Sequence, residues 1–460
     1  MTPQPSRSAD QPAPSRGEPR ELTLAVGAPA HGGHCVARPV DDPGGRVIFV
    51  RHALPGETVR ARLTEMTSRT WRADAVEILQ ASPDRVESVW PEAGPAGVGG
   101  GELAHVALDA QRTWKRWVLA DCLRRIGGQE VADAVAALPE ASAAAAVPIE
   151  PMPTDAAAQA SNSARRRALA GTSTRTRVSL TVGEDGRPGM HAFRSGTVLP
   201  LRRLPLAVDA ITEIGLLERS RWRAHYRPGM RIEAIAPSGG EPVVLLDERL
   251  LTAQARSTGR RRVREVVDAS ALGLGELTYS VHAEGFWQVH VDAPRVLVER
   301  VVRGALGADL DGAAGSRVLE LYSGAGLFTL PLAALVGSSG EVVSLEGNEQ
   351  AVRDARRTLH DHPAARLASG RVSARSVREL AGSLTGGRPD VVILDPPRQG
   401  AGREVIEAVG ALGAERIVLV ACDPAALARD LGTLLRSGYA LGSMSALDMF
   451  PHTHHFETIA

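Results

Sequence analysis

Arg416–Leu431 reads RIVLVACDPAALARDL. Ile417–Val420 is a short β-branched and aliphatic run bounded by polar residues, the pattern of a strand buried in a parallel sheet. Asp423 is a good N-cap, Pro424 suits the first helical position, and the helix formers AALARDLGTLL follow. The stretch therefore reads as strand, junction, helix, with Cys422 at the junction. Open α/β sheets place their ligands at the carboxyl ends of strands. A thiol at a helix N-terminus is also expected to shift toward the thiolate. The plainer reading is a small buried hydrophobe, as for most cysteines. Position alone does not choose between the two.

Working outward, the same alternation fills the C-terminal half. From Asp292, DAPRVLVERVVRGAL reads as a helix, SRVLELY as a strand and GAGLFTLPLAALV as a loop and helix. EVVSLEG and DVVILDPPR read as further strands, with the helices EQAVRDARRTLHDH and REVIEAVGAL between them and the Cys422 strand. This rhythm predicts a doubly wound, mainly parallel sheet.

The N-terminal half reads differently. Residues 1–20, rich in Pro, Ser, Arg and acids, are expected to be a disordered tail with no apolar signal-peptide core. From residue 21 to 80 come five short alternating runs, ELTLAV, CVARPV, RVIFV, TVRARLTEM and WRADAVEIL. Gly32-Gly33, Pro43-Gly44-Gly45 and Pro55-Gly56 punctuate them as turns. That pattern predicts a small OB-like β-barrel, a shape that commonly binds RNA. Residues 81–285 are expected to form a central α+β domain and 286–460 the doubly wound domain. Within the central part, Glu102–Gly127 reads as one helix, 128–163 as an alanine- and proline-rich loop, and Thr176–Val182, VVLLD and LTYSVHAE as strands. GRRRVREV, from Gly259, is a local basic cluster that suits phosphate or plain solvent equally.

Composition narrows the class. The 460 residues carry 53 Lys+Arg and 53 Asp+Glu, so any basic surface must be local. Lys115 is the only lysine, which makes arginine content a weak sign of phosphate binding. Cys35, Cys122 and Cys422 are too far apart for a disulfide framework or metal spacing, which fits a reducing cytoplasm. No run reaches the length of a membrane span, so no membrane partner is expected.

Four motifs carry chemistry. Glu320-Leu-Tyr322-Ser-Gly324-Ala-Gly326 lies between a strand and a helix, where glycines let backbone approach a ligand. It lacks the third glycine of the dinucleotide fingerprint. With Glu346 at the next strand end as a ribose partner, it favours an adenosine-bearing cofactor other than NAD. Asp395-Pro396-Pro397-Arg398 ends a third strand and aims Asp395 into the crevice. His452-Thr-His454-His455-Phe-Glu457 lacks an accompanying cysteine or acid at zinc spacing, so no metal is expected. Glu457 reads as a general base, oriented by the histidines and the terminal segment.

LELYSGAGLFTLPLA, LDPPRQGA, ACDPAALARDL and DMFPHTHHFE together resemble the S-adenosylmethionine-dependent RNA uracil-5-methyltransferases. GGHCVARPVDDPGGRVIFVRHALPGETVRARL resembles their N-terminal TRAM barrel, and FWQVH the segment before their catalytic domain. The resemblance covers nearly the whole chain from residue 21. It implies a Rossmann-like class I methyltransferase domain behind a TRAM barrel, acting as a monomer on tRNA or ribosomal RNA. It implies that Gln288, Tyr322, Glu346 and Asp395 contact S-adenosylmethionine, that Cys422 is the nucleophile and that Glu457 is the base. Retention of Cys422, Asp395 and Glu457 together argues against an RNA-binding protein without catalysis. Arg398 and Cys422 argue against methylation of an exocyclic amine.

The sequence also departs from the family. Many members hold an iron–sulfur cluster on four cysteines; the matching positions here are Glu92, Val98, Gly101 and one near Leu204. His290, Leu327 and Ala421 replace an asparagine, an asparagine and a serine or similar residue. Thiolates are what hold such clusters. The purified protein is therefore expected to be colourless and free of stoichiometric iron. Iron analysis with a visible spectrum checks this; a broad band near about 400 nm with matching iron would refute it.

Overall fold

The computed structural model describes residues 20–141 and 146–460. Apart from Arg20, the expected N-terminal tail lies outside the described residues. The chain divides into two compact units. The first runs to Pro83; the second comprises Asp84–Ala460 and the turn His31–Gly33.

The first unit is a closed five-stranded barrel with the strand order β1-β2-β3-β5-β4. Its strands are β1 (Glu21–Ala30), β2 (His34–Pro39), β3 (Ile48–Arg51), β4 (Thr58–Met66) and β5 (Trp71–Gln80). The period-2 pattern explains the closure. In β4, Val59 and Ala61 point inward while Arg60 and Arg62 face out. Leu24, Ile48, Val50 and Ala73 fill the interior with them. Inside the wall, the Arg51 guanidinium donates two hydrogen bonds of 2.9 Å to the Asp74 carboxylate.

In the second unit, helix α1 spans Leu108–Cys122 and continues as a π-helical turn over Leu123–Gly127. It is shorter than the sequence predicts. Glu102–Ala107 is drawn into turns instead: the Glu102 carboxylate accepts from the Gly100 N–H, and the Leu103 N–H donates to the His452 carbonyl. Residues 128–163 are also not the expected loop. They include α2 (Gln129–Ala136), β6 (Ile149–Pro151) and α3 (Pro153–Gln159), and α4 (Ala164–Ala168) follows. Alanine contributes little contrast to a hydrophobic pattern, which hid these elements.

A six-stranded antiparallel sheet comes next, built from β7 (Arg177–Val182), β8 (Pro188–His191), β9 (Val198–Pro200), β10 (Arg231–Ile235), β11 (Val243–Leu246) and β12 (Arg249–Thr252). The short helices α5 (Asp209–Thr212) and α6 (Ser220–Arg223) lie between β9 and β10 in sequence. β13 (Arg262–Asp268) and β14 (Glu276–His282) pair as a hairpin. Part of the basic cluster is engaged by the protein itself: Arg262 donates to Asp354 at 2.9 Å and the exposed Arg264 to the Gly239 carbonyl at 3.0 Å.

The rest is the doubly wound sheet. It contains α7 (Ala293–Leu306), β15 (Arg317–Leu321), α8 (Thr329–Val336), β16 (Glu341–Glu346), α9 (Glu349–Thr358), β17 (Ala365–Ser369) and α10 (Ala374–Gly382). Then come β18 (Val391–Leu394), α11 (Arg403–Gly410), β19 (Arg416–Ala421), α12 (Pro424–Arg436), β20 (Ser445–Asp448) and β21 (Glu457–Ile459). The strand order is β17-β16-β15-β18-β19-β21-β20-β6. The first five strands run parallel, whereas β21 is antiparallel to both β19 and β20. Alternate residues feed two cores. Val318, Ile393 and Val418 pack on one face with α7 and α8. Leu319, Leu321, Leu394 and Leu419 pack on the other with α11 and α12, joined by Leu119 and Leu123 of the α1 region.

The only lysine anchors α1 to this sheet. Lys115 and Asp448 are fully buried as an ion pair, and Lys115 Nζ also donates to the Phe450 carbonyl at 3.1 Å. Removing one member of such a pair leaves a buried charge uncompensated. Lys115→Ala is expected to cost about 3–5 kcal/mol of stability. Chemical denaturation measures it, and a loss below about 1 kcal/mol would show the pair to be replaceable.

Candidate active site

The carboxyl ends of β15, β16, β18 and β19, together with the start of β21, form one edge. At the end of β15 the chain turns through Tyr322, whose φ of 64° is unusual for a non-glycine residue. Such strain persists where the surroundings over-determine it and concentrates at functional sites. The Tyr322 N–H donates to the Leu345 carbonyl at 2.8 Å. Gly324 has φ 54°, and a Cβ built there would meet nothing within 4 Å, so its missing side chain faces open space. Gly326 has φ 86° and packs against α9, with Ala355 Cβ 3.3 Å from where its own Cβ would be.

Glu346 ends β16 with its carboxylate fixed by backbone. One oxygen accepts from the Gly324 N–H at 2.9 Å, the other from the Asn348 N–H at 2.6 Å. Each oxygen retains a lone pair, so the carboxylate can still accept from vicinal hydroxyls. Asp395 follows β18, its N–H directed to the Leu321 carbonyl at 3.3 Å. Burial and the Glu346 charge push its carboxyl up to about 7. Glu320 lies beneath, wholly buried, with one oxygen accepting from Thr329 and Ser344 and the other without a partner. Burial raises its carboxyl to about 7 as well. Gln288 is buried at 9% exposure, beside the exposed ring of Phe286.

Cys422 and Glu457 meet through strand pairing. In the antiparallel register of β19 and β21, Val420 faces Ile459 and Ala421 faces Thr458. One step further, Cys422 stands level with Glu457. The Thr458 hydroxyl donates to the Ala421 carbonyl at 2.8 Å, which closes that end of the ladder. Glu457 is 5% exposed, and its Oε1 has no hydrogen-bond partner. Burial, then the nearby Asp395 charge, holds its carboxyl well above the ordinary range.

Two sequence expectations need correction here. The helix dipole does not activate Cys422. Burial and the Glu457 and Asp395 carboxylates push the half-buried thiol up to about 12, against the opposing pull of Arg398. Asp423 also competes for the helix N-terminus. Its Oδ1 accepts from both the Ala425 and Ala426 N–H groups, so the first-turn donors are already occupied. Nor do the histidines orient Glu457. His452 is engaged by Gln111: the Gln111 side-chain amide lies 3.2 Å from its Nδ1, and the His452 N–H donates to Gln111 Oε1 at 2.7 Å. His454 lies 3.7 Å from the Glu102 carboxylate and stacks on His455 with ring centroids 3.9 Å apart. The histidines hold the loop that precedes Glu457, and the terminal segment, expected alongside them, sets the carboxylate through the strand register. Lys115, Gln111 and Asp448, which secure the same loop, were missed from sequence. The solitary lysine was the available signal.

The remaining departures are accommodated. His290 Nδ1 accepts from the Asp292 N–H at 3.1 Å, so the proton sits on Nε2, 3.1 Å from Asp155 Oδ2. The Leu327 carbonyl accepts from the Tyr279 hydroxyl at 2.9 Å. Val98 and Leu204 join Trp90 and Ala93 in an apolar cluster, and a Cβ on Gly101 would lie 2.7 Å from Ala93 and 2.8 Å from Trp90. Packed carbon fills three of these positions and the fourth is the Glu92 carboxylate, 3.6 Å from Arg203; with no thiolate among them, the residues do not fit an iron–sulfur cluster. Among the described residues no group of three or more His, Cys, Asp or Glu side chains could hold a metal ion.

Comparison with known proteins shows the family and the fold. A family model described as tRNA (uracil-5-)-methyltransferase matches residues 275–459, and one for the TRAM domain matches 18–76. An uncharacterized RNA methyltransferase of Streptomyces avermitilis is 38% identical over 96% of this chain and 97% of its own. A 23S rRNA (uracil(1939)-C(5))-methyltransferase of Acinetobacter baumannii is 30% identical over 94% of this chain and 92% of its own. The crystal structure of the Pyrococcus abyssi tRNA (uracil-54, C5)-methyltransferase with S-adenosyl-L-homocysteine has the same fold. It superposes with a TM-score of 0.62 at 20% identity, covering 95% of this chain and 98% of that one.

The raised thiol gives a pH expectation. Thiolate is the reactive form, so alkylation of Cys422 by iodoacetamide should keep rising from about pH 7 to about pH 10 without a plateau. Mass spectrometry of the Cys422 peptide reads the rate. A plateau near about pH 8 would show that the site does stabilise the thiolate.

Proposed function

Since the chain belongs to the S-adenosylmethionine-dependent RNA uracil-5-methyltransferase family, we propose that it methylates C5 of a uridine in ribosomal or transfer RNA through a covalent Cys422 adduct, with Glu457 as base. The observation that carries the reading is the β19–β21 register, which sets a thiol and a buried carboxyl level on neighbouring strands. A binding protein has no use for that pairing. Both relatives are named as RNA methyltransferases, which supports RNA as substrate, and the 23S rRNA enzyme's match covers 94% of this chain.

The donor-side residues fit an adenosine-bearing sulfonium. Glu346 is positioned to accept from ribose hydroxyls, the open face of Gly324 admits close approach, and Gln288, Tyr322 and Asp395 complete the set. When bound, S-adenosylmethionine supplies an electrophilic methyl group. Uracil C5 is too weak a nucleophile to take it unaided. Addition of the Cys422 thiolate to C6 forms a C–S bond and places enolate-like charge on C5. After C5 is methylated, Glu457 removes the C5 proton, the C6–S bond breaks and the thiolate is restored. Because the free thiol holds its proton, addition requires its loss when RNA enters; the Arg398 charge favours that loss. The target base must leave its stack to expose the face that sulfur attacks.

Glu346→Ala is expected to weaken donor binding by about 1–3 kcal/mol, the cost of leaving polar groups unpaired, as read by calorimetry. Unchanged affinity would place the ribose elsewhere. The catalytic pair is tested by where each variant stalls. Cys422→Ala should abolish turnover and any covalent RNA complex while RNA and donor still bind. Glu457→Gln should add and methylate, then accumulate a denaturation-resistant, methylated protein–RNA adduct. Normal turnover by Glu457→Gln, or total loss of activity without adduct, would remove Glu457 from the role of base.

A further inference from the structure

Three acidic side chains, Glu346, Asp395 and Glu457, meet at one sheet edge. They come from β16, the end of β18 and β21, with β15 and β19 between them. Glu320 lies behind, at 1% exposure. Among the described ion pairs none involves any of these four, and Glu457 Oε1 and Glu320 Oε1 are buried without a hydrogen-bond partner. A buried carboxylate without a cation or donors is expensive and takes up a proton instead. Both Asp395 and Glu457 show the resulting preference for the neutral form. Other charged or titratable groups at this edge are Glu320, whose carboxyl burial raises to about 7, Tyr322 and Cys422, which burial keeps neutral, His455, which burial lowers to about 3, and Arg398, whose charge acts on Cys422 and His455.

We propose that the donor site is built one positive charge short, so that binding the sulfonium of S-adenosylmethionine expels the proton that Asp395 and Glu457 retain between them and so arms Glu457 as the base. This rests on the functional reading above and extends it to the charge balance of the whole cycle. In the free protein burial pushes both carboxyls toward the neutral form, and on this proposal the pair retains one proton between them. The sulfonium adds one positive charge; release of the proton to solvent leaves the pair doubly ionised beside it. Methyl transfer turns the sulfonium into a neutral thioether and removes that compensation. Glu457 then regains its affinity for a proton at the step where the C5 proton must be taken. The proton taken from uridine stays on the pair when the products leave, and the next donor molecule expels it. The missing charge is thus the timing device that keeps one carboxyl ionised before transfer and basic after it.

Calorimetry on the full chain without RNA tests this. S-adenosylmethionine and S-adenosyl-L-homocysteine are titrated near about pH 6.5, where α-amino groups stay protonated, in buffers of different ionisation enthalpy. The dependence of the observed enthalpy on buffer gives the protons released. About one proton is expected to leave with S-adenosylmethionine and markedly fewer with S-adenosyl-L-homocysteine, which lacks the sulfonium charge. Release should persist in Cys422→Ala, fall in Glu457→Gln and disappear in the double variant Asp395→Asn, Glu457→Gln. The wild type alone offers a second readout. Affinity for S-adenosylmethionine should rise by up to about tenfold per pH unit through the carboxyl window, against a flatter profile for the homocysteine product. Equal proton counts for the two ligands, no release with the donor, or loss of release in Cys422→Ala would each overturn the inference. Failure of both ligands to bind would overturn the functional reading with it.

Discussion

The antiparallel pairing of β21 with β19 is the constraint on which the site depends. It is short, but it is fixed at both ends. Leu419 and Ala460 exchange two backbone hydrogen bonds of 2.8 and 2.9 Å, and the Thr458 hydroxyl closes the other end on Ala421. A one-residue slip would turn every side chain of β21 to the opposite face. Glu457 would then leave the Cys422 side of the sheet and enter the core. The buried residues of β21 and the anchored loop before it make that slip costly. Ladder register, rather than a direct hydrogen bond, therefore sets the geometry of Cys422 and Glu457.

Much of this was legible in the sequence because the strands are regular. The runs RVLEL, EVVSLE, VVIL and RIVLVA are apolar enough to read as buried strands, and each has a chemically marked residue at its end or next after it. Glu346, Asp395 and Cys422 were accordingly found one strand at a time. The barrel was equally readable, since residues of β4 alternate strictly and glycines punctuate the turns. β17 and α10 were passed over: β17 is partly exposed throughout and carries no apolar run. β6 escaped for another reason. Three residues inside an alanine-rich stretch offer no period to detect, and only their partner β20 gives them meaning.

What sequence could not supply was competition between neighbours. Cys422 occupies a place where helix geometry alone argues for thiolate, yet Asp423 takes the first-turn N–H groups and the surrounding carboxylates oppose ionisation. The histidines look like partners for Glu457 because they adjoin it in the chain. Their actual partners, Gln111 and Glu102, lie more than three hundred residues earlier. Likewise, the cluster positions filled by Val98, Gly101 and Leu204 show that apolar packing can close a loop that thiolates and iron hold elsewhere.

β6 has a consequence for how the molecule is assembled. It pairs with β20 through Ile149, Glu150 and Pro151, and so covers an edge of the sheet that contains the site. A fragment cut to the C-terminal half would expose the β20 edge as a row of unpaired backbone donors and acceptors. Such an edge invites pairing with other chains. The contact also spans about three hundred residues, so the entropy of closing that loop must be met before the sheet is complete. The catalytic half is thus not a detachable module: its outermost strand is contributed by the half that precedes it, and solubility and folding order are properties of the two together.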